Sequence, residues 1–578
     1  MHNWFITTDK NISLDYSFQF DGGNYVLFSD DVPQQIEYDG SKFKFFVFGF
    51  ALPTLESTIE VGDKSAILIR SIEKYGVDFM KYIKGNFIIV LFQKENFILF
   101  NDQMGIRKYF QAEKNNKIFF SNSFQHIQKF LSPTFSVVNF AQNALFNHYI
   151  EGSTIYKEIS FSKRASRVQF YKGQLLKEHY FDLTDFYYQE KRKIPSDSFS
   201  QKFLDIMKQY IQLPQVKGTA LTLTGGFDSR ILLAALLHHK TKPIVFNYGN
   251  PKSFDVVIAK EISKQYDLTF FNNSLDHIDK DWFDTMSKKI AVLGNGITQA
   301  HRAHRLDTFE RLKNNYSVDT VYGGYMGGEG ILGIYYDDLI TSEFVRRKWK
   351  KEGHIDDLVS KILRKKFIRI NKIEQEELVH KVSEMPFWSK DHNLNHFLFS
   401  YYVKGEIHHI QDMNLSNDYF DYNIPFFLDI DYLKLLFSSK YSFLEKDMET
   451  DNPFKRIDYH RIYCEMLNYM YKDLGNIPLS KSGYYTPNEF LRNKYFTFLK
   501  RTYRHKFSKT HYPTNFKLDS WMTEYVKSKY KDFSNPLLLE HINIEEIQES
   551  LLQDAFPSLE KYWQKYTDII QADNILNL

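Results

Sequence analysis

A glycine-rich turn follows a short apolar strand pattern near residue 222 and leads into an apolar helix pattern. Its residues are Leu223, Thr224, Gly225, Gly226, Phe227, Asp228 and Ser229. Two glycines let the backbone approach a polyphosphate closely, hydroxyl groups can donate to its oxygens, and the first N–H groups of a helix face anions. Asp228 would repel phosphate unless a divalent cation lay between them, so it is a candidate Mg²⁺ ligand. An ordinary helix N-cap is the simpler alternative.

This turn resembles the SGGxDS pyrophosphate loop of the N-type ATP pyrophosphatases, with Thr224 in place of the first serine. It differs from the Walker loop, which needs GxxxxGK[ST]. The resemblance implies that ATP is the cosubstrate and Mg²⁺ the cofactor. It also implies cleavage between the α- and β-phosphates, which yields AMP and pyrophosphate.

From this turn onward the sequence resembles the synthetase domain of asparagine synthetases, with the motifs in family order. The matching segments are residues 246–249, 321–329, 424–429 and 478–484. The resemblance implies an adenine contact at Tyr248 and nucleotide contacts at Gly323 and Gly324. It also implies a catalytic role for Lys481, because adenylation adds negative charge to the α-phosphate and the leaving pyrophosphate, which an ammonium group stabilises.

The segment 323–329 departs from the family pattern. The family has a metal-binding aspartate where an ungapped alignment puts Gly328, and Glu329 is the only acid close enough to replace it. If the loop is one residue longer here, Glu329 is the second Mg²⁺ ligand; otherwise the second metal site is weakened. Tyr325 lies where the β-lactam synthetases have a tyrosine that helps to deprotonate the amine. The resemblance therefore implies a general-base role for Tyr325, and the alternative is that its side chain only packs against its neighbours.

The first 190 residues resemble class II glutamine amidotransferases at residues 73–76, 83–87, 101–109 and 119–123. These segments are mostly structural in that family, so they indicate a fold and not an activity. Glutamine hydrolysis there needs a cysteine exposed as the new N-terminus, whose thiol attacks the amide. Position 2 is His2, and the only cysteine is Cys464. We therefore expect a catalytically silent domain, with nitrogen supplied by ammonia, by a second substrate, or from within one molecule, as in β-lactam synthetases and lasso-peptide cyclases.

The remaining sequence supplies the elements that must position these residues. Short β-type segments and one helix pattern near 64–82 indicate a layered α+β region. A polar stretch at 187–200 is the best linker candidate. Alternating helix and apolar strand patterns then indicate a parallel sheet covered on both faces, which binds ligands at the carboxyl ends of its strands. Amphipathic helix patterns follow at 340–385, 395–415 and 431–475.

We therefore predict an α+β, Ntn-hydrolase-like layered domain followed by an α/β parallel-sheet ATP-pyrophosphatase (HUP-like) domain with a helical C-terminal extension. The predicted boundaries are 1–190 for the silent amidotransferase-like domain, 198–485 for the asparagine-synthetase-like ATP-binding domain, and 486–578 for the extension. The length of 578 residues fits two domains with an extension.

The composition excludes several classes of partner. Lys and Arg number 74 against 71 Asp and Glu, so a formal charge of +3 does not favour nucleic acid. A single cysteine rules out an intramolecular disulfide and a cysteine-rich zinc site. The start lacks a signal-peptide pattern and no apolar run approaches a membrane span, so we expect no membrane partner and a cytoplasmic location. A homodimer is left open.

The leading hypothesis is an AMP-forming carbon–nitrogen ligase, which activates a small-molecule or peptide carboxylate as an acyl-adenylate and forms an amide with ammonia or an amine. The alternative is a non-catalytic scaffold or binding protein that keeps the asparagine synthetase fold. A nucleotide-sulfur enzyme is disfavoured because there are no further cysteines.

Two weaker signals concern basic residues. Residues 301–305, which include His301, Arg302, His304 and Arg305, either contact an anionic substrate or form a solvated helix face. His408 and His409 would face the site if the family topology holds, although structural histidines are the more common case.

Overall fold

The computed structural model describes residues 3–146, 148–214, 217–333, 355–385, 391–402, 409–447, 450, 452–479, 486–507, 525–526, 528–529, 535–552 and 564–578. Among these residues, no helix is long and apolar enough to cross a membrane.

Two antiparallel sheets, each with six strands in the described part of the chain, form the first half of the molecule. In chain order the strands are β1 (Trp4–Thr7), β2 (Phe18–Asp21), β3 (Val26–Ser29), β4 (Gln34–Tyr38), β5 (Ser41–Pro53), β6 (Ile83–Gln93), β7 (Asn96–Asn101), β8 (Phe110–Lys114), β9 (Lys117–Ser121), β10 (Ile159–Phe161), β11 (Ser166–Tyr171) and β12 (Gln174–His179). The first sheet has the order β10-β8-β9-β1-β3-β2 and the second β12-β11-β7-β6-β5-β4. Apolar side chains such as Trp4, Phe48 and Phe97 share one buried cluster between them.

The strands β5 and β6 are apolar along most of their length because their sheet is covered on both faces. Helix α1 (Lys64–Tyr75) buries Ile67 and Leu68 against one face. A 3-10 turn, Gly76–Lys81, follows it. The helix expected near 64–82 is therefore confirmed, with its last part wound more tightly. The helices α2 (Phe124–Leu131), α3 (Val137–Phe146) and α4 (Thr184–Tyr187) complete this half.

The second half contains a parallel sheet of five described strands. They are β13 (Gly218–Thr222), β14 (Ile244–Tyr248), β15 (Phe270–Asn273), β16 (Val318–Tyr322) and β17 (Tyr422–Ile424), in the order β15-β14-β13-β16-β17. The alternating helices are α5 (Ser196–Ile211), α6 (Phe227–His238), α7 (Phe254–Gln265), α8 (Lys280–Leu293) and α9 (Ala303–Asn315). The alternation expected from sequence, and with it the mixture of antiparallel and parallel sheets, is confirmed.

The strand order reverses at β13. The chain moves from β13 to β14 and β15 on one side, then places β16 on the other side. Open α/β sheets bind ligands at the carboxyl ends of the strands that flank such a switch point. The segments that leave β13 and β16 are therefore the first places to look for a site.

Helices make up most of the remaining described chain. They are α10 (Gly327–Leu332), α11 (Ile355–Lys365), α12 (Lys372–Ser383), α13 (His392–Leu398), α14 (Ile410–Asn417), α15 (Ile430–Phe437), α16 (Pro453–Tyr459), α17 (Arg461–Tyr471), α18 (Pro487–Arg492), α19 (Lys494–Phe507), α20 (Pro536–Leu539), α21 (Ile544–Leu552) and α22 (Gln564–Leu576). Short 3-10 segments lie at Ala300–Arg302, Phe426–Leu428, Phe443–Glu445 and Lys472–Asn476. The amphipathic run expected at 431–475 is interrupted, because the chain leaves the helix after Phe437 and restarts at Pro453 under an Asn452 cap.

The polar stretch at 187–200 is packed against the second half of the molecule. The Arg192 N–H donates to Ser438 O at 2.6 Å, and the Lys191 ammonium group donates to Phe437 O at 2.7 Å. Helix α5 begins at Ser196, inside this stretch. The stretch thus connects the two halves without standing free, and the domain boundaries remain a prediction.

Candidate functional site

The first glycine loop, residues 223–229, leaves the carboxyl end of β13 and enters α6. The Thr224 N–H donates to Ser229 Oγ at 3.1 Å, and the Gly226 N–H donates to Thr224 Oγ1 at 3.2 Å. The Gly225 N–H donates to Asp255 Oδ1 at 3.0 Å. These bonds fix the turn, while the first N–H groups of α6 make no bond within the helix and face the carboxyl edge of the sheet.

Two sets of hydrogen bonds connect this loop to the neighbouring structure. The Leu223 N–H donates to Phe246 O at 3.0 Å, and its carbonyl accepts a hydrogen bond from the Asn247 side chain at 3.3 Å. Arg230, fully buried at the start of α6, makes the second set. It donates to four backbone carbonyls: Gly225 (3.3 Å), Leu474 (3.2 Å), Ile477 (2.6 Å) and Pro478 (2.8 Å). Burial lowers the pKa of Arg230 to about 10, so it remains a cation at neutral pH.

The second glycine loop, residues 323–329, leaves β16 and packs directly on Asp228. A Cβ atom at Gly327 would lie 2.6 Å from Asp228 Cγ, and one at Gly324 would lie 3.4 Å from Asp228 Cβ. A Cβ at Gly323 would lie 2.2 Å from the Tyr325 ring. The glycines therefore allow the two loops to meet at the carboxyl edge of the sheet, whereas the nucleotide contacts expected of Gly323 and Gly324 stay predictions.

Aromatic side chains surround Asp228. Tyr463 donates to Gly327 O at 2.9 Å, and burial together with the neighbouring Asp228 raises the pKa of its hydroxyl. The Phe227 ring stacks on the Tyr463 ring, with ring centres 4.9 Å apart. The pKa of Tyr432 is also raised, first by burial and then by Asp228. This low-dielectric surrounding strengthens the attraction of the Asp228 carboxylate for a cation.

Three basic residues of the segment 301–305 are buried, namely His301, Arg302 and His304, so the solvated-face interpretation is wrong. The Arg305 guanidinium lies 5.7 Å from the ring centre of Tyr248. Arg305 and Arg302 both pair with Asp412, Arg302 at 3.4 Å. Burial lowers the pKa of Arg305, but Asp412 together with Tyr248 and Tyr325 outweighs burial, and the pKa is raised.

The two buried histidines of this segment are neutral. Burial, followed by the nearby arginine charges, holds the pKa values of His301 and His304 well below the usual range. His304 packs edge-on against Tyr248, with ring centres 4.8 Å apart. Tyr248 thus packs between His304 and the guanidinium group of Arg305, and its predicted adenine contact stays a prediction.

Glu329 is paired with His409, whose Nε2 atom lies 3.5 Å from Glu329 Oε1. The His409 ring centre is 5.6 Å from that of Tyr325. Within the described ranges, no group of three or more His, Cys, Asp or Glu residues could hold a metal ion. After burial, Asp228 and then Glu329 add to the raised pKa of the Tyr463 hydroxyl.

The sequence reasoning missed several residues that shape the site. Arg230 has four backbone partners and Asp412 neutralises part of the arginine pair. The signal for Arg230 was present, since this charged residue directly precedes the wholly apolar run 231–237. Lys481 and His408 lie outside the described residues, so their predicted roles stay predictions.

Two cavities, of about 1030 and 520 Å³, lie away from the glycine loops. The first is bordered by Gln103, Arg164 and Tyr402, and the second by Trp4, Arg107 and Asp418. Neither is lined by a residue of the loops.

The sequence matches no family model, and no curated protein matches it. Solved structures that resemble this one at low scores include the following three. An enzyme described as the allosteric regulatory enzyme of purine biosynthesis has a TM-score of 0.21 and 7% sequence identity, and the match covers 38% of this chain and 54% of that chain. NMN synthetase from Francisella tularensis has a TM-score of 0.21 and 13% identity, and the match covers 38% of this chain and 97% of that chain. Glutamine phosphoribosylpyrophosphate amidotransferase from B. subtilis, complexed with ADP and GMP, has a TM-score of 0.20 and 7% identity, and the match covers 56% of this chain and 75% of that chain. Such scores transfer no activity, so the function has to be inferred from the site itself.

Proposed function

We propose that this chain is an ATP-dependent, AMP-forming ligase of the asparagine synthetase type, which makes an amide from a carboxylate and ammonia or an amine. The observation that carries the proposal is the meeting of two glycine loops on Asp228 at the switch point of the parallel sheet. Hydrogen bonds within the first loop and to Asp255 fix its conformation. Such a preorganised loop would lose little conformational entropy when a nucleotide binds.

The nucleotide would lie along the carboxyl edge of the sheet. The first turn of α6, with the Thr224 and Ser229 hydroxyls, would bind the phosphates, and Tyr248 would contact the adenine. The Gly324 and Gly327 positions leave room that a side chain would fill. These residues also fit a Mg²⁺ ion, held by Asp228 and phosphate oxygens, since this ion commonly takes only one or two protein carboxylates. When bound, it would neutralise phosphate charge.

The proposed chemistry has two displacements. An oxygen of the substrate carboxylate attacks the α-phosphorus, the bond to the β-phosphate oxygen breaks, and pyrophosphate leaves. The amine nitrogen then attacks the acyl carbon, loses a proton, and AMP leaves. Lys481 is proposed to stabilise the charge of the first step.

Tyr325 is the proposed participant in deprotonating the amine. Burial and then Asp412 raise the pKa of its hydroxyl, so the phenolate is rare at neutral pH. The hydroxyl therefore needs a group that takes its proton before it can act as a base. His409, paired with Glu329, lies beside it.

Glutamine hydrolysis is not part of the proposal. Cys464 lies buried in α17, and burial raises the pKa of its thiol, so it is a poor nucleophile. The Glu329–His409 pair favours a second candidate, a nucleotide-binding scaffold without turnover, because an acid held by histidine is less available to a second metal ion.

The first test is calorimetric titration with α,β-methylene ATP and Mg²⁺ of the wild type, Asp228→Ala and Asp267→Ala. Asp267 is a matched control, a highly exposed carboxylate that follows α7. We expect micromolar binding that is lost only in Asp228→Ala. Pyrophosphate exchange with a panel of carboxylates then separates the two candidates: exchange supports the ligase, whereas binding without exchange supports the scaffold. Absence of binding in the wild type would overturn both.

A further inference from the structure

A buried ion cluster joins the two halves of the molecule. The Lys84 ammonium group, on β6, lies 2.7 Å from Asp429 Oδ2 and 2.7 Å from Asp431 Oδ2. Their side chains are 1%, 0% and 4% exposed. The Tyr210 hydroxyl donates to Asp429 Oδ2 at 2.7 Å, and the Leu55 N–H donates to Asp431 Oδ2 at 2.9 Å. The antiparallel half thus supplies the only cation among the described contacts of these two carboxylates.

Burying this cluster costs free energy, and removing its cation would destabilise the fold further. When Lys84, Asp429 and Asp431 are all ionised, the cluster has a net charge of −1, and this charge is buried. Breaking a buried ion pair is strongly destabilising because the remaining charge is uncompensated. The geometry of Asp429 and Asp431 therefore depends on Lys84.

The two aspartates begin the helix that supports the glycine loops. Asp429 caps α15, accepting the Tyr432 N–H at 2.9 Å. Further along α15, the Leu436 side chain fills the space at Gly330, where a Cβ would lie 2.7 Å from Leu436 Cδ2. Helix α15 therefore packs against α10, which carries Glu329 and meets Asp228 at Gly327. Asp228 also adds to the effect of burial in raising the pKa of the Tyr432 hydroxyl.

The same strand makes a second contact beside the site. The Asn86 side chain donates to Asn423 O at 3.2 Å and to Asn417 Oδ1 at 2.7 Å. Asn423 belongs to β17, and the next residue, Ile424, accepts the N–H of Gly323 at 3.3 Å. Lys84 and Asn86 are two positions apart on β6 and so point to the same face.

We propose that Lys84 is a positioning residue, through which the antiparallel half holds α15 and β17 and so fixes the two glycine loops against each other. This gives that half a function that needs no glutamine hydrolysis. The functional consequence rests on the proposed nucleotide site, whereas the positioning itself does not.

The test compares hydrogen exchange in peptides covering residues 218–232 and 318–333 for the wild type, Lys84→Met and Lys366→Met. Lys366 is the matched control: its ammonium group lies 3.0 Å from Asp568, with side chains 1% and 2% exposed, and its partner lies on α22. We expect both variants to unfold at lower temperature. Only Lys84→Met should exchange faster in the two loop peptides, by about tenfold.

A second variant covers the case in which Lys84→Met does not fold. Lys84→Met/Asp431→Asn removes one charge of each sign, so the buried net charge stays at −1. We expect its melting temperature to recover toward the wild type while the loop peptides still exchange about tenfold faster, because the link between the halves is gone. Wild-type exchange in the loops of this double variant, or equal exchange in Lys84→Met and Lys366→Met, would overturn the proposal.

Nucleotide titration of the same proteins distinguishes this proposal from the function it rests on. We expect the double variant to bind α,β-methylene ATP with Mg²⁺ about tenfold more weakly than the wild type. If the wild type does not bind the analogue, the proposed function fails, and the exchange comparison still decides the role of Lys84.

Discussion

Replacing Gly327 by alanine should weaken nucleotide binding far more than a matched change at the next residue. The new Cβ would lie 2.6 Å from Asp228 Cγ and 2.8 Å from Asp228 Cβ. Rotation of the Asp228 side chain would move its Cγ but not its Cβ, so the backbone of one loop also has to shift. The free energy of unfolding should therefore fall by roughly 1–3 kcal/mol, the usual cost of overpacking.

The loss in binding has a separate cause, the displacement of the Asp228 carboxylate. An interaction with a charged partner contributes about 1.5–3 kcal/mol. Displacing the Asp228 carboxylate from the cation should therefore weaken nucleotide binding by roughly 10- to 100-fold. Gly328→Ala is the matched control, because its Cβ would make an ordinary contact of 3.5 Å with Asp228 Oδ2.

The assay is calorimetric titration with α,β-methylene ATP and Mg²⁺, run beside urea unfolding of the same samples. We expect Gly328→Ala to stay within about threefold of wild-type affinity, since its contact is unstrained. Equal affinities for Gly327→Ala and Gly328→Ala would refute the placement of Asp228 at the nucleotide. A loss of stability well above about 3 kcal/mol in Gly327→Ala would refute a small shift of the loops as the main response.

Two further predictions concern buried charges behind the site and at the junction of the halves. Arg230→Met should lower the free energy of unfolding by about 3 kcal/mol in urea, because buried carbonyls lose a charged donor, and Arg230→Lys should recover less than half, since one ammonium group cannot reach them all. Burial raises the pKa of Asp418 to about 7, with Arg107 opposing. The stability of the folded state is therefore greatest below about pH 4, where the carboxyl is protonated in both states, and falls as the pH rises from about 4 to about 7. The stability of Asp418→Asn relative to the wild type should grow by about 2 kcal/mol from pH 5 to pH 8, measured by urea unfolding, and a constant difference would contradict this.

The parts of the fold that follow local periodicity could be predicted from sequence. The alternation from α5 through β15 is visible because buried parallel strands are short and wholly apolar, while each helix has its own amphipathic period. The break after Phe437 could not be predicted in this way. Serine hydroxyls there bond nearby carbonyls, as Ser439 does with Leu436 O at 2.8 Å, and an apolar pattern does not reveal such competition.

The site shows the same division between local and distant causes. The first glycine loop is a local signal, because its residues bond to one another within a span of five positions. Three of the four carbonyl partners of Arg230 lie more than 240 residues away in sequence, and the partners of Lys84 lie more than 340 residues away. Their meeting depends on the packing of the two halves, so one sequence read alone gives no spacing that would identify them.

The cost of the site favours a ligand there over a purely structural role. Met326 has a left-handed backbone conformation, with φ at 66°, which is uncommon outside glycine. Asp228 is half-buried in a loop whose Phe227 ring stacks on Tyr463, and two guanidinium groups share the single carboxylate of Asp412. Glycine at position 326 would avoid the backbone cost, and apolar side chains would avoid the cost of burying the ionic groups. A scaffold that used only the shape of the fold would gain from losing these features, whereas the proposed nucleotide and its cation would use the charged groups.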